Sequence, residues 1–210
     1  MADDLRARLH EVLSAHDPQR VDMPEARDAA VLIPIVAVPE PTLIFTVRTD
    51  TLSSHKGQIS FPGGSIDATD PSPEAAALRE THEELGLDPG SVEVLGELDT
   101  TPTFVTGYLV FPFVGWIERP PVLDPNPAEV KEVLQVPIVD LSERIRREPG
   151  FEHRGRSYPT EAWVWKDYVI WGVTARLIRQ FLEKVAATGY IEAPGETTSW
   201  GAWPTTSAPS

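Results

Sequence analysis

The sequence predicts an α/β fold, and three observations support that prediction. Apolar segments with a strand-like period of two occur both before and after a helical segment at residues 73–85. That helical segment has clear start and stop signals, and a second long amphipathic helix is predicted at residues 172–187. Strands that alternate with helices are typical of a sheet covered by helices. With 210 residues, 41% of them hydrophobic, the chain is long enough for one well-buried domain.

The first predicted element is an amphipathic helix at residues 3–13. Its inward face would carry Leu5, Leu9, Val12 and Leu13. The segment lacks the apolar core of a signal peptide, and no apolar run approaches the roughly eighteen residues of a membrane span. We therefore expect a helical extension over residues 1–27 and a cytoplasmic protein.

Two strands are predicted next. Residues 29–38 form an apolar run in which Pro34 indicates an edge strand or a bulge. Residues 43–48 alternate between two faces and lead into a polar loop at residues 49–58.

The elements after the central helix follow from the same signals. Strands are predicted at residues 91–98, at 108–117 with an interruption at Pro112, and at 133–139. A short helix at residues 140–147, capped by Asp140, and a hairpin at residues 162–171 that turns near Lys166 and Asp167 come next. The late helix would bury Val173, Leu177, Ile178, Phe181, Leu182 and Val185. Residues 191–210 are rich in Pro, Gly, Ser and Thr and predict a poorly ordered tail.

The central helix carries the most specific pattern. Ser72, Pro73 and Glu74 are a favourable helix start, and Gly86 is a favourable end. The helical period places Ala75, Leu78, His82 and Leu85 on one side and Glu80, Glu83 and Glu84 together on the other. Three carboxylates are therefore expected to converge.

Such a cluster is unfavourable unless a cation offsets it. Arg79, four residues before Glu83, offsets one charge. Oxygen ligands without cysteine suit Mg²⁺ or Mn²⁺, which share coordination with substrate phosphates. The alternative is an acidic helix face exposed to solvent. The glycine pair Gly63-Gly64 favours the metal site, because a backbone without Cβ can approach a bound ion closely.

The run from Gly64 to Leu87 resembles the signature box of the Nudix hydrolases. It has the glycine, an acid, Arg-Glu, Glu-Glu and a final glycine with an apolar residue. Two features differ from the usual box. Eight residues instead of seven separate Asp70 from Arg79, and Thr81 occupies a position that is usually apolar.

The longer loop is similar to that of the Nudix subfamily that hydrolyses coenzyme A, whose box commonly carries an Asp-x-x-Asp insertion, here Asp67 to Asp70. An upstream motif of that subfamily is also similar to residues 44–64, which end in Phe-Pro-Gly-Gly. Within this motif, Thr49 occupies the position of a small residue, and Ser53 occupies the position of an arginine. Residues 170–176 are similar to a late segment of the same subfamily.

The resemblance implies a Nudix-type α/β/α sandwich with a mixed central sheet over residues 28–190. It also implies a site that holds Mg²⁺ or Mn²⁺. Glu80 and Glu84 would be the first ligands, then Glu83, and the Gly64 carbonyl would complete the shell. Arg79 would orient Glu83 rather than contact the substrate.

Substrate contacts and a general base are expected from the flanking loops. Arg48, His55, Lys56 and Gln58 are the candidates for substrate binding. The base would be a box glutamate or an acid from a later loop, Glu129 or Glu132.

The leading functional hypothesis is hydrolysis of coenzyme A or acyl-CoA to 3′,5′-ADP and the (acyl-)4′-phosphopantetheine. The alternatives are a Nudix hydrolase of ADP-ribose, a dinucleotide or a damaged nucleotide, and a non-catalytic nucleotide-binding module. A net charge of −14 opposes a nucleic-acid or anionic membrane partner. The chain has no cysteine, so thiol chemistry is excluded. The sequence leaves the acyl preference, the number of metal ions and the oligomeric state open.

Overall fold

In the computed structural model, one mixed β-sheet lies between helices. The structure describes residues 2–49, 58–103, 106–142, 145–153 and 156–194. Its helices are α1 (Ala2–Ser14), α2 (Pro73–Leu85), α3 (Ile138–Ser142) and α4 (Val173–Ala187). Its strands are β1 (Arg27–Val36), β2 (Thr42–Arg48), β3 (Ile59–Ser60), β4 (Gly63–Ser65), β5 (Glu93–Glu97), β6 (Thr101–Pro102), β7 (Tyr108–Ile117), β8 (Val130–Pro137), β9 (Ile145–His153), β10 (Arg156–Trp165) and β11 (Tyr168–Trp171).

The main sheet has the strand order β3-β2-β1-β7-β5. Strand β4 also pairs with β1, β6 with β7 and β8 with β2. The β1–β7 pair is parallel and runs along the whole of β1, whereas the other pairs are antiparallel. A smaller sheet has the order β11-β10-β9.

The two faces of the main sheet are covered by different helices. Along β1, Ile33 and Ile35 belong to the core on the side of α1 and α4. Leu32 and Val36 alternate with them and belong to the core beneath α2. This period of two produces the three-layer α/β/α arrangement, so the predicted fold class is confirmed.

Of the two positions predicted for Pro34, an edge strand or a bulge, the structure excludes the edge strand. Pro34 is inside β1, between β7 on one side and the strands β2 and β4 on the other. The Leu32 N–H points to the side of β2 and β4, so the backbone nitrogen of Pro34, two residues later, faces that side as well. On that side, residues 29–31 pair with β4 and residues 35–36 pair with β2. Proline is tolerated because its missing donor falls between these two pairings.

Three other details of the prediction were wrong. Pro112 does not interrupt β7, since it is paired with Val31 in the parallel ladder. The helix predicted at residues 140–147 is observed as α3, which begins at Ile138 and ends at Ser142. Residues 145–147 of the predicted helix lie in β9. Val12 is only half-buried, although Leu5, Leu9 and Leu13 are buried in the core as expected.

The late hairpin and α4 agree with the prediction. The β10–β11 hairpin turns at Lys166, which has a positive φ of 52°. All of the predicted stripe of α4 is buried except Val173, which is partly buried. Residues 50–57 of the polar loop and residues 195–210 of the predicted tail lie outside the described residues.

Candidate active site

Helix α2 positions the box residues, and its ends are those the sequence predicts. The Ser72 side chain accepts a hydrogen bond from the Ala75 N–H at 3.1 Å. Gly86 ends the helix in the left-handed conformation, with φ 67°. Thr81 is buried, and its hydroxyl donates to the Ala77 carbonyl at 2.7 Å, so the unusual threonine leaves no unpaired donor. His82, which the helical period places on the same side as Leu85, is exposed, whereas Leu85 is buried.

Glu84 is the buried acid of the site. It is 7% exposed and accepts a hydrogen bond from the Gly63 N–H at 3.3 Å. Burial raises the pKa of Glu84 to about 7, and the negative charges of Glu129 and Glu80 act in the same direction. The carboxylate is therefore held in an environment that opposes its charge.

Glu80 lies one helical turn away, against the backbone of β4. A Cβ added to Gly64 would overlap the Glu80 carboxylate, so a larger residue at this position would displace the end of that side chain. Partial burial raises the pKa of Glu80, and the Arg79 guanidinium opposes this shift.

Arg79 is tied mainly to Asp70. Its Nε and Nη2 donate to the two Asp70 carboxylate oxygens, each at 2.9 Å, which is a bidentate pair. Nη1 donates to Glu80 at 2.9 Å and to Glu83 at 3.3 Å. The sequence predicts the contact with Glu83, but it does not reveal Asp70 as the main partner. The pKa of Asp70 is lowered, chiefly by the hydrogen bond from Arg79.

The three box glutamates are not gathered at one point. The Glu83 side chain is 54% exposed and turns to Arg79, whereas Glu84 is buried against Gly63. Among the residues that the structure describes, no three acidic or histidine side chains lie close enough together to enclose a metal ion. Glu80, Glu83 and Glu84 therefore form an open half-site, meaning a group of acids that would cover only one side of a metal ion, instead of the closed cluster that the helical period predicts.

The register of β4 decides which glycine carbonyl faces the helix. The Pro62 carbonyl and the Ile66 N–H both bond to β1, so the Gly64 N–H and C=O between them face β1 as well. The Gly63 N–H and the Ser65 carbonyl point the other way, to Glu84 and Arg79. Because the N–H and C=O of a trans peptide point in opposite directions, the Gly63 carbonyl also faces α2. This corrects the expectation that the Gly64 carbonyl is turned toward the site.

The loop before β8 brings Glu129 to the box helix. Glu129 is close enough to Glu80 and Glu84 for its charge to raise the pKa of both. Asn126, which the sequence analysis does not single out, donates from Nδ2 to Glu129 Oε1 at 3.3 Å. Glu132, the other candidate base, accepts a hydrogen bond from the Tyr168 hydroxyl at 2.7 Å. Only Glu129 of the two is therefore placed beside the box carboxylates.

Arg48 ends β2 on the same side. Its electrostatic field lowers the pKa of Glu84, and its buried Nε has no hydrogen-bond partner among the described residues. The Gln58 carbonyl accepts from the Arg48 N–H at 3.0 Å. Thr49 donates from its backbone and its hydroxyl to the Glu129 and Ala128 carbonyls, at 3.0 and 3.2 Å. The candidates His55 and Lys56, together with Ser53, lie outside the described residues.

Comparison with known proteins identifies the family. The model of the NUDIX domain matches residues 26–159. A Nudix hydrolase of Photorhabdus laumondii, named NudL and described as uncharacterized, is 41% identical over 160 residues, which are 76% of this chain and 85% of that protein. NudL of Escherichia coli K12 is 43% identical over 155 residues, 73% of this chain and 80% of that protein. The chain belongs to the Nudix hydrolase family.

A solved Nudix structure shows the same fold. The MutT/nudix family protein of Enterococcus faecalis matches with a TM-score of 0.51 and 15% identity, over 79% of this chain and 64% of that one. In the described part of this Nudix hydrolase, none of the helices is both long and apolar enough to cross a membrane.

The donor set of this Nudix hydrolase fits a divalent metal ion. All of its candidate ligands are oxygen atoms, and Glu84 is a buried acid whose neighbours Glu80 and Glu129 are also acids. A hard cation is the partner that such a site needs, and an open half-site suits Mg²⁺ or Mn²⁺, which retain water and bind substrate phosphate.

Proposed function

We propose that this Nudix hydrolase cleaves the diphosphate bond of coenzyme A or acyl-CoA to 3′,5′-ADP and the (acyl-)4′-phosphopantetheine. The family supports the broader statement, a hydrolase of nucleoside diphosphate derivatives. The substrate rests on the similarity of residues 44–64 and of the Asp67–Asp70 insertion to the coenzyme A subfamily. The observation that supports it best in the fold is Arg48, whose buried Nε lies beside the acidic site and has no hydrogen-bond partner in the part of the chain that the structure describes.

Glu80 and Glu84 would hold Mg²⁺ or Mn²⁺, with Glu83 as a further ligand and the Gly63 carbonyl as the backbone ligand. A bound divalent ion neutralises charge on the phosphate oxygens and lowers the pKa of bound water. Arg79 keeps Glu80 and Glu83 in place, because Asp70 fixes its guanidinium in a bidentate pair.

Glu129 would act as the general base. It accepts a proton from water while the water oxygen forms a bond to phosphorus, and the bond from phosphorus to the bridging oxygen breaks. The electron pair of that bond leaves with the phosphate product. Arg48 would bind a non-bridging oxygen, which is a charge-assisted hydrogen bond of the kind that phosphate recognition uses.

A substrate panel tests this function. Coenzyme A, 3′-dephospho-coenzyme A, ADP-ribose and a dinucleoside polyphosphate would be compared in Mg²⁺ and in Mn²⁺, with identification of the products. We expect the highest kcat/KM for coenzyme A or its acyl form, and a clear loss without the 3′-phosphate. A much higher kcat/KM for ADP-ribose would contradict the assignment to the coenzyme A subfamily, but it would still agree with Nudix hydrolysis of a diphosphate.

Glu129→Gln and Glu132→Gln form a matched pair that tests the base. Both remove one carboxylate from neighbouring positions, but only Glu129 lies beside the box glutamates. We expect Glu129→Gln to lower kcat roughly a hundredfold, since general base catalysis typically contributes that much. Glu132→Gln should keep wild-type turnover. The reverse pattern would assign the base to Glu132.

A further inference from the structure

The loop at residues 124–130 connects two separate parts of the site. At one end, the Asp124 and Asn126 N–H groups donate to the Leu85 and Glu84 carbonyls at the end of α2, at 2.8 and 2.9 Å. At the other end, Thr49 after β2 donates to the carbonyls of Ala128 and Glu129. The loop therefore fixes the backbone of Glu129 relative to the box helix and to β2.

The side chain of Asn126 makes two hydrogen bonds inside this loop. Its Oδ1 accepts from the Ala128 N–H at 3.1 Å. This bond sets the orientation of the amide, so that Nδ2 faces the Glu129 carboxylate and donates to Oε1 at 3.3 Å. The Asn126 carbonyl also accepts from the Glu129 and Val130 N–H groups, at 3.1 and 2.8 Å.

The turn itself does not need the Nδ2 donor. The backbone bonds and the Oδ1 acceptor are sufficient for a turn of this type, and aspartate or serine could supply the acceptor. Within the part of the chain that the structure describes, Nδ2 donates to Glu129 alone. The donor is therefore available for a function beyond the turn.

We propose that Asn126 is a positioning residue that fixes the carboxylate of Glu129 for proton transfer. The inference rests on the proposed function, in which Glu129 accepts the proton of the attacking water. Asn126 holds one carboxylate oxygen, so that the other remains free for the water. An amide does not titrate near neutral pH, so this support is the same across the working pH range.

A double-mutant cycle on kcat distinguishes this role from a structural one. Asn126→Ser keeps an oxygen for the Ala128 N–H and removes the donor to Glu129. We expect it to lower kcat roughly tenfold with little change in KM, because a displaced catalytic group reduces turnover by that order. In the Glu129→Gln background the same substitution should change kcat by less than about twofold, since the group that it supports is no longer a base.

Asp124→Asn is the matched control, because Asp124 is exposed and its loop contact is made by the backbone. It should retain wild-type kcat. Asn126→Asp, which keeps the shape and the acceptor but not the donor, repeats the cycle if the serine variant folds poorly. Melting temperatures of all variants are measured alongside.

The outcomes separate the two proposals. An equal loss of kcat from Asn126→Ser with and without the Glu129 carboxylate would overturn the positioning role, and so would unchanged turnover in the single variant. Wild-type turnover in Glu129→Gln would remove Glu129 as the base and this inference with it. A tenfold loss that disappears in the Glu129→Gln background supports both.

Discussion

Glu84 is a carboxylate in a position that disfavours its charge. It is buried on α2, accepts one backbone hydrogen bond, and has acids as neighbours. Burying an acid is unfavourable without a partner, and its raised pKa measures this cost. An unfavourable charge of this kind is typical of functional sites, and here a divalent metal ion would offset it.

The substitutions Glu84→Gln and Glu80→Gln should each lower kcat by about a hundredfold or more. Each removes a ligand charge from the proposed metal site, and the metal stabilises the transition state. Turnover would be measured at saturating Mg²⁺. Glu74→Gln, an exposed change in the first turn of the same helix, should have no comparable effect. Unchanged turnover in both site variants would exclude the box helix from catalysis.

Glu84→Gln should also stabilise the metal-free protein at alkaline pH. The pKa of Glu84 is about 7 in the folded protein and near 4.5 without burial, so the folded state binds the proton more tightly. The free energy of unfolding therefore falls as pH rises from about 4.5 to 7, by about 3 kcal/mol at most. Gln carries no charge at any pH and avoids this loss.

Melting temperatures measured in EDTA test whether Glu84→Gln raises the stability of the metal-free protein at alkaline pH. The variant should melt several degrees above wild type at pH 8. The difference should disappear near pH 5, where Glu84 is protonated in the folded state. A variant that is less stable than wild type at pH 8 would show that the Glu84 carboxylate has a stabilising partner in the metal-free protein.

Local sequence signals predicted the helices α2 and α4 well, but they failed where the pairing of distant strands decides the structure. Ser72 and Gly86 define α2 because caps act through neighbouring residues. Pro34 and Pro112 were misjudged, since the cost of proline in a strand depends on which neighbour its missing N–H would face. The buried side of α2 includes Thr81 and Glu84 but not His82, because it depends on the site and not on hydrophobicity alone.

The same distinction applies to the site. The box glutamates and Arg79 could be found from the sequence because they share one helix. The role of Asn126 and the choice of Glu129 over Glu132 could not, because they depend on how a distant loop packs against α2 and β2. The Gly63 carbonyl required the register of β4.

Helix α1 is bound to the domain by a buried face, and this contact can be tested. Leu5, Leu9 and Leu13 belong to the core with α4. Leu9→Ala should lower the free energy of unfolding by about 2–5 kcal/mol, as for other buried leucines, whereas Glu11→Ala on the exposed side should change it by less than about 0.5 kcal/mol. Chemical denaturation measures both. Equal stability of the two variants would make residues 1–27 a separable extension.

Segments that are distant in sequence are joined by polar contacts as well as by the core. His16 Nε2 lies 2.9 Å from Asp99 Oδ1, and Lys184 Nζ lies 3.0 Å from His16 Nδ1. These contacts connect the end of α1, the loop after β5 and the helix α4. The site lies on the other face of the sheet, beneath α2. These polar contacts and the site therefore belong to different layers of the fold.

We expect the folded unit to end close to Pro194. Tyr190 and Ile191, which follow α4, pack against the core, and Pro194 is buried. Residues 195–210 contain only Trp200 and Trp203 as large apolar side chains, too few to offset the entropy of ordering sixteen residues. A chain cut after Pro194 should therefore keep the wild-type melting temperature and kcat/KM. A chain cut after Gly189 should melt at a lower temperature, because it loses Tyr190 and Ile191 from the core. Equal destabilisation by both cuts would show that the tryptophans dock on the domain or on a second copy of the chain, and sedimentation of the full chain would distinguish these two cases.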